Sequence, residues 1–550
     1  MKIRKSTFMP VVVLVIAMAS GGWFLQQGVN REANVYFHVR LLEEVMEYIE
    51  GQFVEEVDAT ELYQAAIDGV VRELGDPNSQ FLEASDWEDV RIRTQGEYGG
   101  VGLEVIDREG FVTVVSPIPG TPGARAGIRA GDRIVEVDGE SIEGLLTDQA
   151  VELLRGRPGT SVGMGIQRLG VESVVPFEVE RAVIQVLSVP FVEMLPGGIA
   201  YIPLQIFNGT TTKEVRTALD SLAEEGMTSV IMDLRENPGG LLDEGVALTD
   251  MFLDPGQDIV DTRGRAVGQS EKYVATMPQP YEDLPVVVLV KERSASAAEI
   301  FAGALQDHDR GLIIGAATFG KGSVQSLFRL SGGNVLKLTT ARWYTPSGRS
   351  IQKEREDQLA LRETGVIALA GDPVERPSLT DKPEYQTTGG RVVYGGGGIV
   401  PDLWVLPDTL SADERASVRS IFATGGGFFV ALQSWAVEYI QGRPDMTSGF
   451  SVTDADIQAL HAGMTSRGSE VTVDQLLAGH RYVRYHMERE LALQAAGDQG
   501  QFRQSMADDL QLQKAIELLS DAATQSDLFR VAGTPLSTAV PAEVGTPAGN

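Results

Sequence analysis

The middle of this 550-residue chain alternates short apolar runs with amphipathic segments, and this alternation constrains the fold more than any other feature. The apolar runs indicate buried strands, and the segments between them have the apolar spacing of helices. The expected strands are Ile199–Phe207, Ser229–Leu234, Val286–Val290 and Leu312–Gly315, and the expected helices are Thr212–Glu225, Asp243–Leu253 and Ala297–Asp307. Strands that alternate with helices form sheets with crossover helices. We therefore predict an α/β core over residues 183–405.

Two residues of this core could carry out chemistry together. Ser296 stands where a strand gives way to a helix, and Lys321 lies between two glycines after the next strand. A serine hydroxyl becomes a good nucleophile when a neighbouring base removes its proton, and lysine is one such base. The two residues therefore form a candidate Ser–Lys pair.

Each residue of this pair also has another interpretation. Ser296 and Glu299 fit the S-x-x-E capping box, in which the serine satisfies N–H groups at a helix start. Gly315–Lys321 matches the G-x-x-x-x-G-K of a nucleotide-binding loop, but Gly322 stands where magnesium binding needs Ser or Thr. The residues after Ser323 alternate as in a strand, whereas a phosphate-binding loop opens a helix. Capping is compatible with catalysis, and nucleotide binding is disfavoured.

The composition excludes several other classes of function. The chain has no cysteine, hence no thiol nucleophile, and it contains no H-E-x-x-H zinc motif. We expect no metal site and no cofactor. A net charge of −31 argues against nucleic acid as a partner, because phosphate backbones attract cationic surfaces.

Four separated segments resemble the carboxyl-terminal processing proteases, a family of tail-specific serine peptidases with a PDZ domain. In chain order they are DLRENPGG (Asp233–Gly240), SASAAEI (Ser294–Ile300), TFGKGSVQ (Thr318–Gln325) and ARWYTPSGRSIQ (Ala341–Gln352). The resemblance implies that Ser296 is the nucleophile, Lys321 its general base and Gln325 the residue that orients the lysine.

The resemblance also implies an oxyanion hole and a function. The oxyanion donors would be the backbone N–H groups of Ala297 and of Gly239 or Gly240. The implied function is that of a serine endopeptidase that recognises proteins by their C-terminal tails and cuts through an acyl-enzyme. A hypothesis from another class is an inactive PDZ scaffold or adaptor, which the intact catalytic positions disfavour.

Residues 94–182 resemble the PDZ domain of that family. Within YGGVGL, the residues Gly100, Val101, Gly102 and Leu103 are expected to hold a peptide C-terminus through backbone N–H groups. The strand that begins there would accept the peptide by edge addition. A plain glycine turn in a small β domain is the open alternative.

The N-terminal 28 residues read as a targeting segment. Lys2, Arg4 and Lys5 precede an apolar run, and Ala17–Ala19 offers an A-x-A cleavage site. A cleaved signal peptide and a retained membrane anchor are both open, and we favour the anchor. Either way we expect the bulk of the chain outside the cytoplasm, on the periplasmic side of the inner membrane if the segment anchors it, or secreted if the segment is cleaved.

Helical patterns flank the core and the PDZ domain. We predict an N-terminal helical region over residues 32–92, a C-terminal helical extension over residues 406–520 and a disordered tail over residues 521–550, which is rich in Ala, Thr, Pro and Gly. The family resemblance does not reach the extension, for which dimerisation of the chain and gating of the site are both open roles. The overall fold class is an α/β protease core with an inserted β-rich PDZ domain and helical terminal regions.

Overall fold

The computed structural model describes residues 35–534 and 536, apart from residues 109, 169–170, 172, 354–365, 373, 375–377, 381, 424–426 and 444. The predicted targeting segment, residues 1–28, lies outside the described residues. The chain divides into two compact units. One unit consists of the residues up to Ser85 together with Gln325–Thr339, and the other consists of Asp86–Val324 and the chain from Thr340 onward.

The first unit combines N-terminal helices with a short sheet. A helix covers residues 35–52, and a second one, Ala59–Arg72, begins at Asp58, whose side chain accepts the N–H of Thr60 at 2.6 Å. Strand Gln80–Leu82 pairs antiparallel with the start of strand Val335–Tyr344. Strand Ser323–Arg329 pairs with that same strand. The predicted helical N-terminal region is confirmed.

The second unit is organised around a six-stranded sheet. Its strands, in spatial order, are Glu193–Leu195, Ile199–Pro203, Ser229–Asp233, Val286–Val290, Leu312–Gly315 and Leu403–Trp404. The first pairing is antiparallel and the other four are parallel. Because both faces of a parallel sheet are covered, its strands read as continuous apolar runs. The predicted α/β core is confirmed.

Alternate residues of these strands enter two separate hydrophobic clusters. On one face Val286, Val288 and Val290 pack with the crossover helices Thr211–Glu224, Leu242–Asp250 and Ala297–Asp307. On the other face Val287 and Leu289 pack against the C-terminal helices Leu510–Ser520 and Gln525–Val531. The sheet thus places the carboxyl ends of its strands, and the loops that follow them, at one edge between these two layers.

The predicted PDZ domain contains a separate sheet of this unit, which has five strands in sequence of pairing and one further short strand. Its path runs Leu103–Arg108, Phe111–Pro117, Arg133–Val137, Ser161–Gln167 and Val175–Glu180, with Glu140–Ser141 beside the third strand. The helices are Pro122–Ala126 and Thr147–Leu154. Because Leu103–Arg108 is an end strand of this path, one of its edges is open to strand addition.

The remaining strands of the second unit form short ribbons. Asp258–Gly264 pairs with Glu271–Val274 and with the end of Val335–Tyr344, Glu97–Gly100 pairs with Ala182–Gln185, and Glu384–Gln386 pairs with Val392–Tyr394. Helix Ala84–Gln95 leads into the PDZ region. These elements complete the β structure of the described chain.

The C-terminal extension consists of two parts. Helices Ala412–Phe422, Gly427–Gln441, Asp454–Thr465, Val473–Ala478 and His480–Ser505 surround a hydrophobic cluster of their own. The helices that follow pack on the six-stranded sheet instead. The expectation of disorder from residue 521 differs from the structure over Gln525–Val531, where a helix buries Leu528 and Phe529 completely. The composition of the tail did not predict this helix, because only two apolar residues, Leu528 and Phe529, bury it.

Among the described helices, none by itself combines the length and apolar character of a membrane span. Helices Ala412–Phe422 and Gly427–Gln441 reach that length and apolar character only in combination, and they are bent by 89° relative to each other.

Candidate active site

Ser296 lies in a strained turn between strand Val286–Val290 and helix Ala297–Asp307. Its backbone has φ 54° and ψ −114°, which is uncommon for a residue other than glycine. Such a conformation costs about 1–3 kcal/mol and persists only where the surroundings fix it. The Ser296 hydroxyl makes no capping hydrogen bond to the helix, and the N–H of Glu299 donates to the Ser296 carbonyl at 2.9 Å. The other half of the predicted capping box is present, because the Glu299 side chain accepts the Ser296 N–H at 2.8 Å.

A single buried carboxylate, that of Glu299, connects the two candidate catalytic residues. Its Oε2 accepts the backbone N–H of Ser296 at 2.8 Å and that of Lys321 at 3.0 Å. Its Oε1 accepts the hydroxyl of Thr318 at 2.5 Å and the N–H of Gly320 at 2.7 Å. Glu299 has no exposed surface. The turn that carries the serine and the loop that carries the lysine are thus bound to one anchor.

The charge state of Glu299 reflects two opposed effects. Burial raises its pKa above the ordinary value, and the donors from Thr318, Gly320, Ser296 and Lys321 act against that rise. Every neighbour in this set donates, so the ionised carboxylate satisfies all of them with acceptor oxygens. An amide in this place would point its NH₂ group at two donors.

The loop around Lys321 is held from its other side by residues far along the chain. The indole N–H of Trp343 donates to the Lys321 carbonyl at 3.1 Å, and the Trp343 backbone N–H donates to the Gly322 carbonyl at 2.9 Å. Gln352 accepts the Gly322 N–H at 3.0 Å. Lys321 itself is half-buried, and strand Ser323–Arg329 follows it. A strand in this place argues against the nucleotide-binding alternative, which requires a helix.

Gln325, the predicted third catalytic residue, lies on strand Ser323–Arg329. It is half-buried, and its side-chain amide donates to the hydroxyl of Thr339 at 3.3 Å. Both residues belong to the smaller compact unit. The orienting role of Gln325 toward Lys321 stays a prediction.

Of the two glycines predicted to form the oxyanion hole, Gly239 lies against the serine turn, and Gly240 lies against the backbone of Phe207. A Cβ atom added to Gly239 would be 2.7 Å from the Cβ of Ser296 and 3.0 Å from the nitrogen of Ala297. However, the Gly239 N–H donates to the Asn237 side chain at 2.8 Å, so the loop itself engages this donor in the present conformation. Ala297, at the first position of its helix, and Gly240 are the candidate oxyanion donors that remain.

Sequence reasoning overlooked Asn237. This residue is fully buried, and its side-chain amide donates to the Leu204 carbonyl at 2.8 Å while its backbone carbonyl accepts the N–H of Ala295 at 3.0 Å. It therefore fixes the glycine loop to both a neighbouring strand end and the serine turn. The only sequence signal was a polar residue before Pro-Gly-Gly, which reads as an ordinary turn.

Asp233 and Arg235 form a buried ion pair beside this loop. Arg235 donates through Nε to Asp233 Oδ1 at 3.0 Å and through Nη2 to Oδ2 at 2.6 Å, and the Tyr201 hydroxyl donates to Oδ2 at 2.7 Å. Burial acts to raise the pKa of Asp233, but the charge and hydrogen bonds of Arg235 outweigh it and the pKa is lowered. Asp233 is thus an ionised structural group.

The predicted peptide-binding loop of the PDZ domain is a tight turn that is fixed at Gly102. Gly102 has φ +75°, and a Cβ atom there would be 2.3 Å from the Cβ of Thr121, so only glycine fits. The Gly102 carbonyl accepts the Ile118 N–H at 3.0 Å, and the Val101 carbonyl accepts the Gly123 N–H at 2.7 Å. With Gly100 before them and Leu103 after them, these residues lead directly into the open edge strand.

A cleft of about 940 Å³ lies at the carboxyl edge of the protease sheet. Its core side includes Pro203, Arg235 and Ala316, which follow or end three sheet strands, and its outer side includes Phe502 and Asp509 of the extension. Among the residues that the structure describes, no group of His, Cys, Asp and Glu is arranged to hold a metal ion.

Comparison with known proteins places this architecture in a family. A model of peptidase family S41 matches residues 198–358, and a PDZ domain model matches residues 113–168. The carboxy-terminal-processing protease of Bartonella bacilliformis is 39% identical over 327 residues, which cover 59% of this chain and 74% of that protein. This chain belongs to the carboxy-terminal-processing protease family. A model of the N-terminal domain of the activating protease CtpB also matches, over residues 24–86.

Other relatives match a similar share of the chain. The carboxy-terminal processing protease CtpA of Bacillus subtilis is 34% identical over 313 residues, or 57% of this chain and 66% of that protein. Among solved structures, the photosystem II D1 C-terminal processing protease is 30% identical and covers 65% of this chain and 84% of its own, with a TM-score of 0.34. The chain is therefore a protease with a PDZ domain, and the S41 match ends before the C-terminal extension begins.

Proposed function

We propose that this protease is a serine endopeptidase of the Ser–Lys type, with Ser296 as nucleophile and Lys321 as general base. The observation that carries the proposal is the Glu299 carboxylate, which accepts N–H groups from both residues. A strained serine at a strand-to-helix turn and a lysine loop bound to the same buried anchor are what a preorganised pair requires.

The proposed reaction follows from these positions. Uncharged Lys321 takes the proton of the Ser296 hydroxyl as Oγ attacks the scissile carbonyl carbon. The oxyanion that forms is stabilised by backbone N–H groups, for which Ala297 and Gly240 are the candidates. The lysine then gives its proton to the departing amine, and water hydrolyses the acyl-enzyme. Gln325, four positions after Lys321, is proposed to orient the amine.

Substrates are proposed to be proteins with exposed C-terminal tails. The tail carboxylate would meet the backbone N–H groups of Gly100, Val101, Gly102 and Leu103, and the tail would add to the edge strand Leu103–Arg108. Main-chain pairing gives affinity that depends little on sequence, whereas side-chain pockets give preference.

The location of the protease is also a proposal. A positively charged start before an apolar segment supports export with the N-terminal segment as an anchor, which would place the protease domain on the periplasmic side. Alkaline phosphatase fused after residue 34 should be active in cells, and an inactive fusion of the same abundance would contradict export.

An inactive PDZ scaffold is the competing hypothesis. Purified full-length chain should cleave β-casein and a quenched fluorogenic peptide with a free carboxyl terminus, equally with and without EDTA. Ser296→Ala and Lys321→Ala should bind the peptide and leave it uncut. Peptide binding without cleavage by the unmutated, folded chain would support the scaffold instead.

A further inference from the structure

The last two helices that the structure describes pack on one face of the protease sheet. Helix Leu510–Ser520 and helix Gln525–Val531 bury Leu512, Leu519 and Phe529 against the face of the sheet opposite the serine helix. The Gln525 side chain also accepts the backbone N–H of Val286, at the start of the strand that leads to Ser296, at 2.7 Å. These helices therefore form part of the protease core, although they lie far beyond the S41 match.

The residue that begins the first of these helices binds the ion pair beside the active site. Asp509 caps helix Leu510–Ser520 by accepting the Leu512 N–H at 3.1 Å. It also pairs with both terminal nitrogens of Arg235, at 2.8 Å from Nη1 and 2.7 Å from Nη2. Gln511 accepts a further hydrogen bond from Arg235 at 3.2 Å. A bidentate, charge-assisted pair of this kind fixes orientation as well as distance.

Of the two carboxylates on Arg235, only that of Asp509 ties it to a distant element. Asp233 lies two positions before Arg235 on the same strand end, so their contact is local. Asp509 belongs to the opposite layer, and its side chain is 25% exposed where those of Asp233 and Arg235 are 9% and 16% exposed. The Asp509 contact therefore anchors the end of strand Ser229–Asp233 to the extension.

Arg235 begins the segment that reaches the nucleophile. Two positions later, the Asn237 carbonyl accepts the Ala295 N–H at 3.0 Å, and the Gly239 backbone then passes against Ser296. We propose that Asp509 is a positioning residue for proteolysis, which acts by holding Arg235 and thereby the segment Arg235–Gly240 against the Ser296 turn. The proposal rests on the proposed function of Ser296 and adds to it a role for the extension.

The test compares two variants of the full-length protein. Asp509→Asn removes the charge that pairs with Arg235 but retains a side chain that caps helices as well as Asp does. The matched control, Arg503→Gln, breaks another ion pair between extension and core, in which Arg503 binds Glu193 at 2.9 Å and not a residue of the Arg235–Gly240 segment. Three readouts are compared: kcat and KM on the fluorogenic tail peptide, Tm, and amide hydrogen exchange over residues 234–241.

The expected result separates positioning from folding. Asp509→Asn should lower kcat by about tenfold to a hundredfold, the cost of a small misplacement at a reacting centre, with KM changed less than about twofold. Amide hydrogen exchange over residues 234–241 should be faster in Asp509→Asn than in the unmutated chain. In Arg503→Gln it should be as slow as in the unmutated chain. Unchanged kcat and exchange in a folded Asp509→Asn variant would overturn the proposal. So would a loss of activity that only follows a lowered Tm.

Failure of the proposed function has a different signature. If the unmutated chain is folded and cleaves nothing, the Ser–Lys assignment fails, and hydrogen exchange alone decides whether Asp509 orders the segment. If the unmutated chain cleaves and Asp509→Asn cleaves equally well, only the Asp509 proposal fails.

Discussion

Ser296 and Lys321, the two residues proposed to carry out the chemistry, are held in place in different ways. Ser296 lies between a buried strand and a buried helix that are contiguous with it in sequence, and the turn itself is partly exposed. Lys321 lies in a glycine-flanked loop that two distant residues bind: Trp343, 22 positions after Lys321, binds its carbonyl, and Gln352, 30 positions after Gly322, binds the Gly322 N–H. The serine thus lies between two regular elements, with a further contact from the Asn237 carbonyl to the Ala295 N–H, whereas the lysine lies in a loop that is held by tertiary contacts.

Glu299 connects these two arrangements. It lies three residues after the serine, on the same helix, and 21 and 22 positions before the loop nitrogens that it binds. The helix therefore carries both the proposed nucleophile at its start and the residue that anchors the loop of the proposed base. This difference predicts that changes near Ser296 affect folding and catalysis together, whereas changes around Lys321 can affect catalysis alone.

The largest expected effect is the loss of either catalytic residue. Ser296→Ala and Lys321→Ala should each lower kcat by about 10³-fold or more, because nucleophile and base act as a unit. For the same reason the double variant should be about as inactive as each single one. Initial rates on the tail peptide, with protein quality checked by circular dichroism, provide the measurement.

Substantial cleavage by a homogeneous Ser296→Ala preparation would contradict this assignment. Losses that multiply in the double variant would show that the two residues act independently.

The next effect in size is expected at Glu299. Glu299→Gln replaces one acceptor oxygen with a donor that faces N–H or O–H groups, so it should lower kcat by about 10²-fold through misplacement of the pair. It should also destabilise the fold by about 1–3 kcal/mol, because buried donors lose their partner. Urea unfolding and steady-state kinetics measure both.

Its control is Glu225→Gln, at the exposed end of a crossover helix, which should change neither quantity. Full activity in Glu299→Gln would show that the shared anchor is dispensable.

A smaller effect is expected on the lysine side alone. Trp343→Phe retains an aromatic ring but removes the N–H that binds the Lys321 carbonyl, so kcat should fall by about tenfold, the equivalent of one hydrogen bond. A change in packing volume also lowers stability, so Tm is measured beside kcat. If Trp343→Phe lowered kcat more than Glu299→Gln does, Trp343 rather than Glu299 would contribute more to positioning the lysine loop.

The smallest effect concerns the pH dependence of stability. Since burial raises the pKa of Glu299, the folded state binds its proton more tightly than the unfolded state does. This contribution is present below the unfolded pKa near 4.5 and is lost as pH rises through the raised pKa. The unfolding free energy of the unmutated chain, relative to that of Glu299→Gln, should therefore fall as pH rises through that window. A relative stability that rises over the same range would contradict the raised pKa.

The sequence predicted those features that depend on neighbouring residues. Apolar runs gave the strands, because both faces of the sheet are buried, and the S-x-x-E spacing placed Glu299 near Ser296. The contacts of Asn237, Trp343 and Asp509 could not be predicted, since each joins segments brought together only by the fold. The helix Gln525–Val531 was missed for a related reason, because Leu528 and Phe529 are ordered by the sheet face that they cover.

The most direct test of the Ser–Lys pair is covalent labelling by a fluorophosphonate, which reacts with activated serines. Peptide mapping of the labelled full-length chain should place the adduct on Ser296, and the labelling rate should rise with pH as the lysine loses its proton. Lys321→Ala should remove the labelling while the protein stays folded. An adduct on another serine, or labelling of Ser296 that is as fast in Lys321→Ala as in the unmutated chain, would contradict the proposed mechanism.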